Sequence, residues 1–295
     1  MKTVVVTGAN SFTGKYVSSL LEERGYKVVK LVRNKNTDDQ VECDLSDKSA
    51  LKELFSECKP DFIIHLAALT FVAHEEPKDF YDVNIFTTLN ILEVCEELKL
   101  DISKIILSSS ANIYGNPSVK RVSEEINPAP VNHYSMSKYA MECMSKLWFD
   151  RLPILITRPF NYTGPGQTKK FLVPKIVDHF KSNKKTIELG NTDVYRDFSD
   201  VRDICNYYIE LMESDVHSEF VNLCSGTVYS LSYIIEEMEK IAGYKIKVDV
   251  NPAFVRSNEI KELGGDNSKL INIIGDRETT PLSKTLLDMY NEDTN

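Results

Sequence analysis

A chain of 295 residues, 42% hydrophobic and 27% charged, can bury a sizeable core, which excludes wholesale disorder. A formal net charge of −9 argues against nucleic acid or a membrane surface as partner, so an anionic ligand must be met by local cations. Six scattered cysteines without C-x-x-C spacing, no 18-residue apolar run, and an N-terminus that reaches Thr7-Gly8 too early for a secretory leader together point to the reducing cytoplasm.

The first strand is predicted over Thr3–Val6 and the first helix over Phe12–Arg24. Between them runs Thr7-Gly8-Ala9-Asn10-Ser11-Phe12-Thr13-Gly14. A turn this tight at a helix N-terminus aims unpaired backbone N–H groups at a pyrophosphate. Ser11 stands where a glycine is usual, and it is small enough for the backbone still to approach phosphates. An ordinary strand-to-helix turn is the competing reading. The second strand, Lys27–Val32, ends in Arg33-Asn34-Lys35, with no acid to accept from adenosine ribose hydroxyls. Arg33 favours a 2′-phosphate there, so NADP(H) is expected ahead of NAD(H); a solvated surface cation is the alternative.

A third strand leads to Asp44-Leu45, a helix follows over Ala50–Cys58, and a fourth strand, Phe62–Leu66, runs into Ala67-Ala68. The small side chains after Leu66 would let a cofactor lie against backbone. A helical period over Phe80–Leu98 precedes a fifth strand, Lys104–Leu107, which opens onto Ser108-Ser109-Ser110. This β-α-β-α order with continuous apolar strands is that of a parallel sheet buried on both faces, which binds ligands beyond its carboxyl edge.

Tyr134 and Lys138 open a helix predicted over Tyr134–Phe149. With 14 tyrosines in the chain, the spacing alone means little, and Tyr26/Lys30 repeats it. The second pair flanks a strand, where four residues span ~13 Å. On a helix four residues rise only ~6 Å and share a face. A free tyrosine titrates near ~10, so a neighbouring ammonium and an oxidised nicotinamide are expected to lower it for proton exchange. A strand over Ile154–Thr157 closes this half. After Gly164-Pro165-Gly166 the rhythm changes: a helix over Phe171–Phe180, strands at Thr186–Leu189, Phe220–Leu223 and Lys245–Val250, and helices ending at Met212 and near Leu231–Ala242. We assign residues 1–164, with returns around 195–224, to a dinucleotide-binding domain, and 165–194 with 225–295 to a smaller lobe. Lys169, Lys170, Lys175, Arg196, Arg202 and Arg256 are candidate diphosphate donors in that lobe.

These motifs resemble the extended short-chain dehydrogenase/reductase family from end to end. The matching elements are T-G-x-x-x-x-x-G, the Asp44 turn, H-L-A-A, S-S-S-A-N-I-Y-G, Y-S-M-S-K, R-P-F-N-Y-T-G-P-G-Q, R-D-F-S-D-V-R-D and the Arg256/Glu259 segment. The sixth and seventh are most similar to GDP-4-keto-6-deoxy-D-mannose reductases. The resemblance implies an α/β fold, a doubly wound parallel (Rossmann) sheet with a smaller C-terminal α/β lobe that binds a nucleotide sugar. It implies Ser110, Tyr134 and Lys138 as catalytic hydroxyl, acid/base and support. It sets Asn84 and Pro159 at the cofactor, and Thr70, Asn112, Asn161, Lys175, Arg196, Arg256 and Glu259 at the sugar nucleotide. It also implies a homodimer in which the Phe80–Leu98 and Tyr134–Phe149 helices pair in a four-helix interface.

Other classes fare worse. A serine hydrolase would need G-x-S-x-G around Ser108–Ser110, which is absent. Histidines at 65, 74, 133, 179 and 217 are not spaced as metal ligands, so no metal is expected. A non-catalytic NAD(P)-binding regulator would be expected to have lost Tyr134 or Lys138. The 4,6-dehydratases that the chain resembles place a Glu two residues before the tyrosine of the Y-G pair; here that position is Asn112, and an amide exchanges no proton at neutral pH. An epimerase uses the same three residues as a reductase, and that alternative stays open.

Overall fold

The computed structural model describes residues 1–70, 76–254 and 260–292. Its first half runs β1 (Thr3–Thr7), α1 (Phe12–Glu23), β2 (Lys27–Val32), β3 (Gln40–Glu42), α2 (Lys48–Cys58), β4 (Phe62–His65), α3 (Pro77–Tyr81), α4 (Thr87–Glu97), β5 (Lys104–Ser108), α5 (His133–Ser145) and β6 (Ile154–Pro159). The second half runs β7 (Asn161–Thr163), α6 (Leu172–Lys181), β8 (Thr186–Leu189), β9 (Tyr195–Asp200), α7 (Val201–Glu213), β10 (Glu219–Leu223), β11 (Val228–Ser230), α8 (Leu231–Ala242), β12 (Lys247–Val250), β13 (Glu262–Leu263), α9 (Ser268–Ile274) and α10 (Leu282–Asn291).

Seven strands form one sheet in the order β3-β2-β1-β4-β5-β6-β10, every neighbouring pair parallel. The continuous valines and isoleucines follow from helices covering both faces. Val4, Val6, Ile64 and Ile106 face α1 and α7, whereas Val5, Ile63, Ile105 and Leu107 face α2, α4 and α5. Full burial of each such side chain contributes about 1.5–3 kcal/mol, and an Asp at Val5 would bury an unpaired charge between layers.

Local chemistry starts the helices where the strands end. Ser11, Asp47, Asn132, Asp200 and Ser230 each cap a helix by accepting from its first-turn N–H groups, a contribution of about 1 kcal/mol apiece. Gly243, at φ +75°, ends α8 in the left-handed conformation.

Two expectations are revised here. The stretch read as one helix over Phe80–Leu98 is interrupted by a wide π-type turn at Asp82–Phe86, between α3 and α4. The return to the large sheet begins at α7 and β10, not at residue 195. β9 instead centres a small sheet with β7, β11 and β13, while β8 and β12 pair in parallel beside it. In turn, α9 leaves the lobe and packs its Leu270 against the large sheet's core. β7, β11 and β13 are two or three residues long, too short for any periodicity to reveal. Helices α6, α8 and α10 share the lobe's own apolar core. No helix among the described residues is long and apolar enough to cross a membrane.

Candidate active site

The carboxyl ends of β1, β4, β5 and β6 lie side by side in the sheet, and the residues just beyond them build the site. After β1 the chain turns through Gly8 at φ +66°, where a Cβ would sit 2.9 Å from the Ala67 nitrogen. A Cβ on Gly14 would sit 2.2 Å from the Gly8 carbonyl oxygen. Both positions therefore need glycine for backbone packing. Ser11 Oγ accepts from Gly14 N–H at 3.1 Å, so its hydroxyl serves as the cap of α1. The N–H groups of Phe12 and Thr13 come earlier in the same first turn, where no intrahelical acceptor exists. With Asn10 exposed beside them, this donor set fits an anionic diphosphate, as the sequence implies.

Thr7 ties this turn to the end of β4. Its Oγ1 accepts from the N–H groups of Leu66 and Ala67, both at 3.1 Å, and its proton goes to His65 Nδ1 at 2.7 Å. His65 Nε2–H then donates to Thr88 Oγ1 at 3.0 Å, which donates to the Asn84 carbonyl. The chain of donors fixes one neutral tautomer. Burial, aided by the Lys138 charge, pushes His65 down to about 3. Leu66, Ala67 and Ala68 are half-buried along this edge, and Thr70 is exposed at its end. Asn84, expected at the cofactor, is buried, and its amide is hydrogen-bonded within the protein. Its Oδ1 accepts from Leu69 N–H at 2.9 Å, and its Nδ2 donates to Leu69 O and to Ser137 Oγ. It fixes the β4 exit loop to α5.

At the end of β2, Arg33 is exposed. Asp44 lies within its field and is held below the usual carboxylate range, first by hydrogen bonds from Ser46 N–H and hydroxyl. Leu45 beside it is buried, and its carbonyl accepts from Asn90 Nδ2 at 2.8 Å.

Beyond β5 three serines diverge. Ser108 Oγ pairs with Tyr208 OH at 2.8 Å, and its carbonyl accepts from Lys138 Nζ at 2.7 Å. Ser109 Oγ is buried with no hydrogen-bond partner among the described residues. Ser110 caps a single 3-10 turn, Ala111–Tyr114, and hydrogen-bonds Tyr134. Tyr134 stands in the first turn of α5, which a reciprocal Asn132/Ser135 capping box anchors; it is 7% exposed and Lys138 is 4% exposed. Sequence spacing and tertiary structure thus bring Ser110, Tyr134 and Lys138 together. Burial lowers Lys138 to about 8, while the Glu142 carboxylate works against that shift. The expected lowering of Tyr134 does not occur in the chain by itself. Burial raises the phenol, the Ser110 hydrogen bond pulls it partly back, and the ammonium is turned to the Ser108 carbonyl. Burial therefore favours the neutral phenol of Tyr134.

Pro159 is buried at the end of β6, Asn161 is exposed at the start of β7, and Asn112 is half-buried two residues before Tyr114. The lobe's cations are less available than their number suggests. Arg196 donates to the carbonyls of Tyr195, Ile260 and Lys261, bracing β9 against the start of β13. Lys175 donates to the Glu188 carbonyl at 2.7 Å, and Lys169 pairs with Asp178 at 2.6 Å. Arg202 is clamped between Asp200 and Asp288. Arg256 and Glu259 lie outside the described residues. No cluster of three metal-ligating side chains occurs among the described residues.

Two features escape the sequence reading. Tyr162 reaches across from β7 to Thr13 Oγ1 at 2.8 Å and stacks on Phe12, clasping the dinucleotide turn from the lobe side. Glu142, one turn beyond Lys138 on the same face, receives a bidentate Arg158. The i, i+4, i+8 spacing of Tyr134, Lys138 and Glu142 was a visible signal for the second; nothing in the sequence marks the first.

A family profile described as GDP-mannose 4,6 dehydratase matches residues 5–289. The chain is 38% identical to GDP-6-deoxy-D-talose 4-dehydrogenase from Aggregatibacter actinomycetemcomitans, over 97% of this chain and 96% of that protein. It is 28% identical to GDP-6-deoxy-D-mannose reductase from Pseudomonas aeruginosa, over 95% and 93%. The solved structure of RMD from Pseudomonas aeruginosa complexed with NADPH superposes with a TM-score of 0.87 at 26% identity, covering 98% of both chains. A putative epimerase from Burkholderia cenocepacia gives a TM-score of 0.92 at 42% identity, over 98% and 97%.

Proposed function

The chain belongs to the GDP-mannose 4,6 dehydratase family, and from that premise we propose that it is an NAD(P)H-dependent oxidoreductase reducing the 4-keto group of a nucleotide-activated 4-keto-6-deoxyhexose. The GDP-linked sugar is preferred, with dTDP- and CDP-linked sugars as lesser candidates, and NADPH is preferred over NADH. The observation that carries this reading is the Ser110–Tyr134–Lys138 cluster standing beside Asn112. The donors of a carbonyl reduction are present, whereas the position from which a dehydratase would exchange a second proton holds an amide.

When bound, the dinucleotide supplies the hydride. Ser110 Oγ and Tyr134 OH polarise the C4 oxygen, and Tyr134 gives up its proton as that oxygen becomes an alcohol. Lys138 stabilises the resulting phenolate and helps seat the nicotinamide ribose. Arg33 pairs with the 2′-phosphate. Thr70, Asn112, Asn161 and the Arg196 region hold the sugar nucleotide, together with Arg256 and Glu259 from the segment after residue 254.

Purified protein should be essentially free of cofactor and should oxidise one NADPH for each GDP-4-keto-6-deoxy sugar consumed. The family's epimerase chemistry, favoured by the likeness to the Burkholderia protein, predicts stoichiometric retained NAD and interconversion of two 4-hydroxy sugars without added reductant.

The association we propose is a homodimer. Met136, 43% exposed, lies with the exposed Cys143 on α5, Leu147, 69% exposed, follows in the 3-10 turn at its end, and Phe86 is 53% exposed beside α4. Two copies of this face make an isologous four-helix contact. Light scattering that returned 33.6 kDa at micromolar concentration would reject the dimer. Six free thiols, four of them buried, agree with a cytoplasmic location.

A further inference from the structure

Behind Lys138, on the side away from Tyr134, α5 carries Glu142, 1% exposed. Its two oxygens accept from Arg158 Nε at 3.0 Å and Nη2 at 2.8 Å. Arg158, on β6 immediately before Pro159, is itself fixed. Its guanidinium carbon lies 4.5 Å from the Phe220 ring centre and 5.2 Å from that of Tyr114, and Nη1 donates to Tyr114 OH at 2.9 Å and to the Glu124 carbonyl at 3.3 Å. Tyr114 OH donates to Asn222 Oδ1 at 2.7 Å. A buried ion pair is weak evidence for stability, because desolvation offsets much of its attraction. Something other than stability has to account for one placed in the helix that carries Tyr134 and Lys138.

The surroundings of Lys138 supply that account. On its own helix it is flanked by Tyr134 and Glu142; from β5 it meets the Ser108 carbonyl; from β4 it is approached by His65, which is neutral. Glu142 is thus the charged group that acts on the buried ammonium among the described residues. We propose that Glu142 is a positioning residue that keeps the Lys138 ammonium protonated inside its buried site, and that Arg158 sets how much of the carboxylate's field Lys138 receives. The consequence for turnover rests on the reductase reading above; the electrostatic coupling does not. Removing the carboxylate leaves Lys138 and Arg158 as like charges in one buried region, and both changes favour loss of the Lys138 proton. Removing the guanidinium frees the carboxylate to face Lys138, which favours keeping it.

The test is a pH titration of ligand-free protein labelled with 13C at lysine Cε, with the Lys138 signal identified by its loss in Lys138→Met. The wild-type midpoint is expected near 8. Glu142→Gln should lower it by about one pH unit and Arg158→Gln should raise it, with the double variant Glu142→Gln/Arg158→Gln lowered less than Glu142→Gln alone. Opposite directions are what a merely structural pair does not give. If Glu142→Gln does not fold, Arg158→Gln and the double variant carry the test. Midpoints unmoved within about 0.3 unit in both, or a fall in Arg158→Gln, would overturn the proposal. The alkaline limb of kcat for NADPH oxidation should follow the NMR midpoint. Moved midpoints with an unmoved limb uphold the coupling and count against the assigned role of Lys138 in turnover.

Discussion

Ser110, Tyr134 and Lys138 are nearly buried and bond chiefly to one another and to one backbone carbonyl, whereas the later cations Lys169, Lys175, Arg196 and Arg202 are more exposed and already bound to carbonyls or carboxylates. The two groups look equally functional as residue types. Their difference shows that in an acidic protein the nearest acceptors for a cation are the protein's own. Burial of titratable side chains together, as at Tyr134 and Lys138, is the better mark of a reactive edge.

The sharpest way to break this contrast is Tyr134→Phe. One hydroxyl is lost and the ring packing against Phe80 is kept. Turnover should fall by about 10²–10⁴-fold with cofactor binding retained, and a variant above about a tenth of wild-type kcat would refute Tyr134 as proton donor.

His65 tests whether the reactive edge depends on a satisfied polar frame. Below its ordinary value of 6.5 the unfolded chain takes up a proton that the folded chain refuses until about 3. Its depressed value therefore gives stability that is fully present above pH 6.5 and lost as pH falls towards 3, about 2 kcal/mol by pH 5. Urea unfolding from pH 7 to 5 should show that slope in the wild type and a shallower one in His65→Asn. Equal slopes would mean that His65 is not buried neutral.

Among the engaged cations, Arg202→Met should cost about 1–2 kcal/mol in thermal unfolding, because buried Asp200 loses two of its charged hydrogen bonds. The KM for the nucleotide sugar should not change. A raised KM with unchanged Tm would return Arg202 to the diphosphate and erase the contrast. The smallest expected effect is at the exposed Arg33. Arg33→Asp should weaken NADPH about tenfold through repulsion of the 2′-phosphate and leave NADH nearly unchanged. An unmoved ratio of the two KM values would remove Arg33 as discriminator.

Much of the catalytic edge was legible because its geometry is set locally. The helix period sets Tyr134 and Lys138 on one face and the strand end exposes Ser108–Ser110, while the choice of Ser110 among the three serines came from the family resemblance. The parallel sheet was equally plain, since double-sided burial writes continuous apolar strands. The partition of β9 was not, because a six-residue strand with four polar or charged residues carries no record of which sheet it joins. The partners of Asn84 were not legible either: an amide in a π-type turn reveals nothing of partners 15 and 53 residues away.

The sequence by itself determined most of the elements, the glycine-bearing turn between β1 and α1 and the shared helix face of Tyr134 and Lys138, because each depends on neighbours within a few residues or on helix and strand periodicity. Only the tertiary structure decided the charge states and the partners. Burial raises Tyr134 and lowers Lys138, Glu142 is oriented by an arginine 16 residues away, and Arg196 is engaged by carbonyls 64 and 65 residues away. Desolvation and long-range pairing are properties of packed surroundings, and they come into being only when distant segments exclude water together.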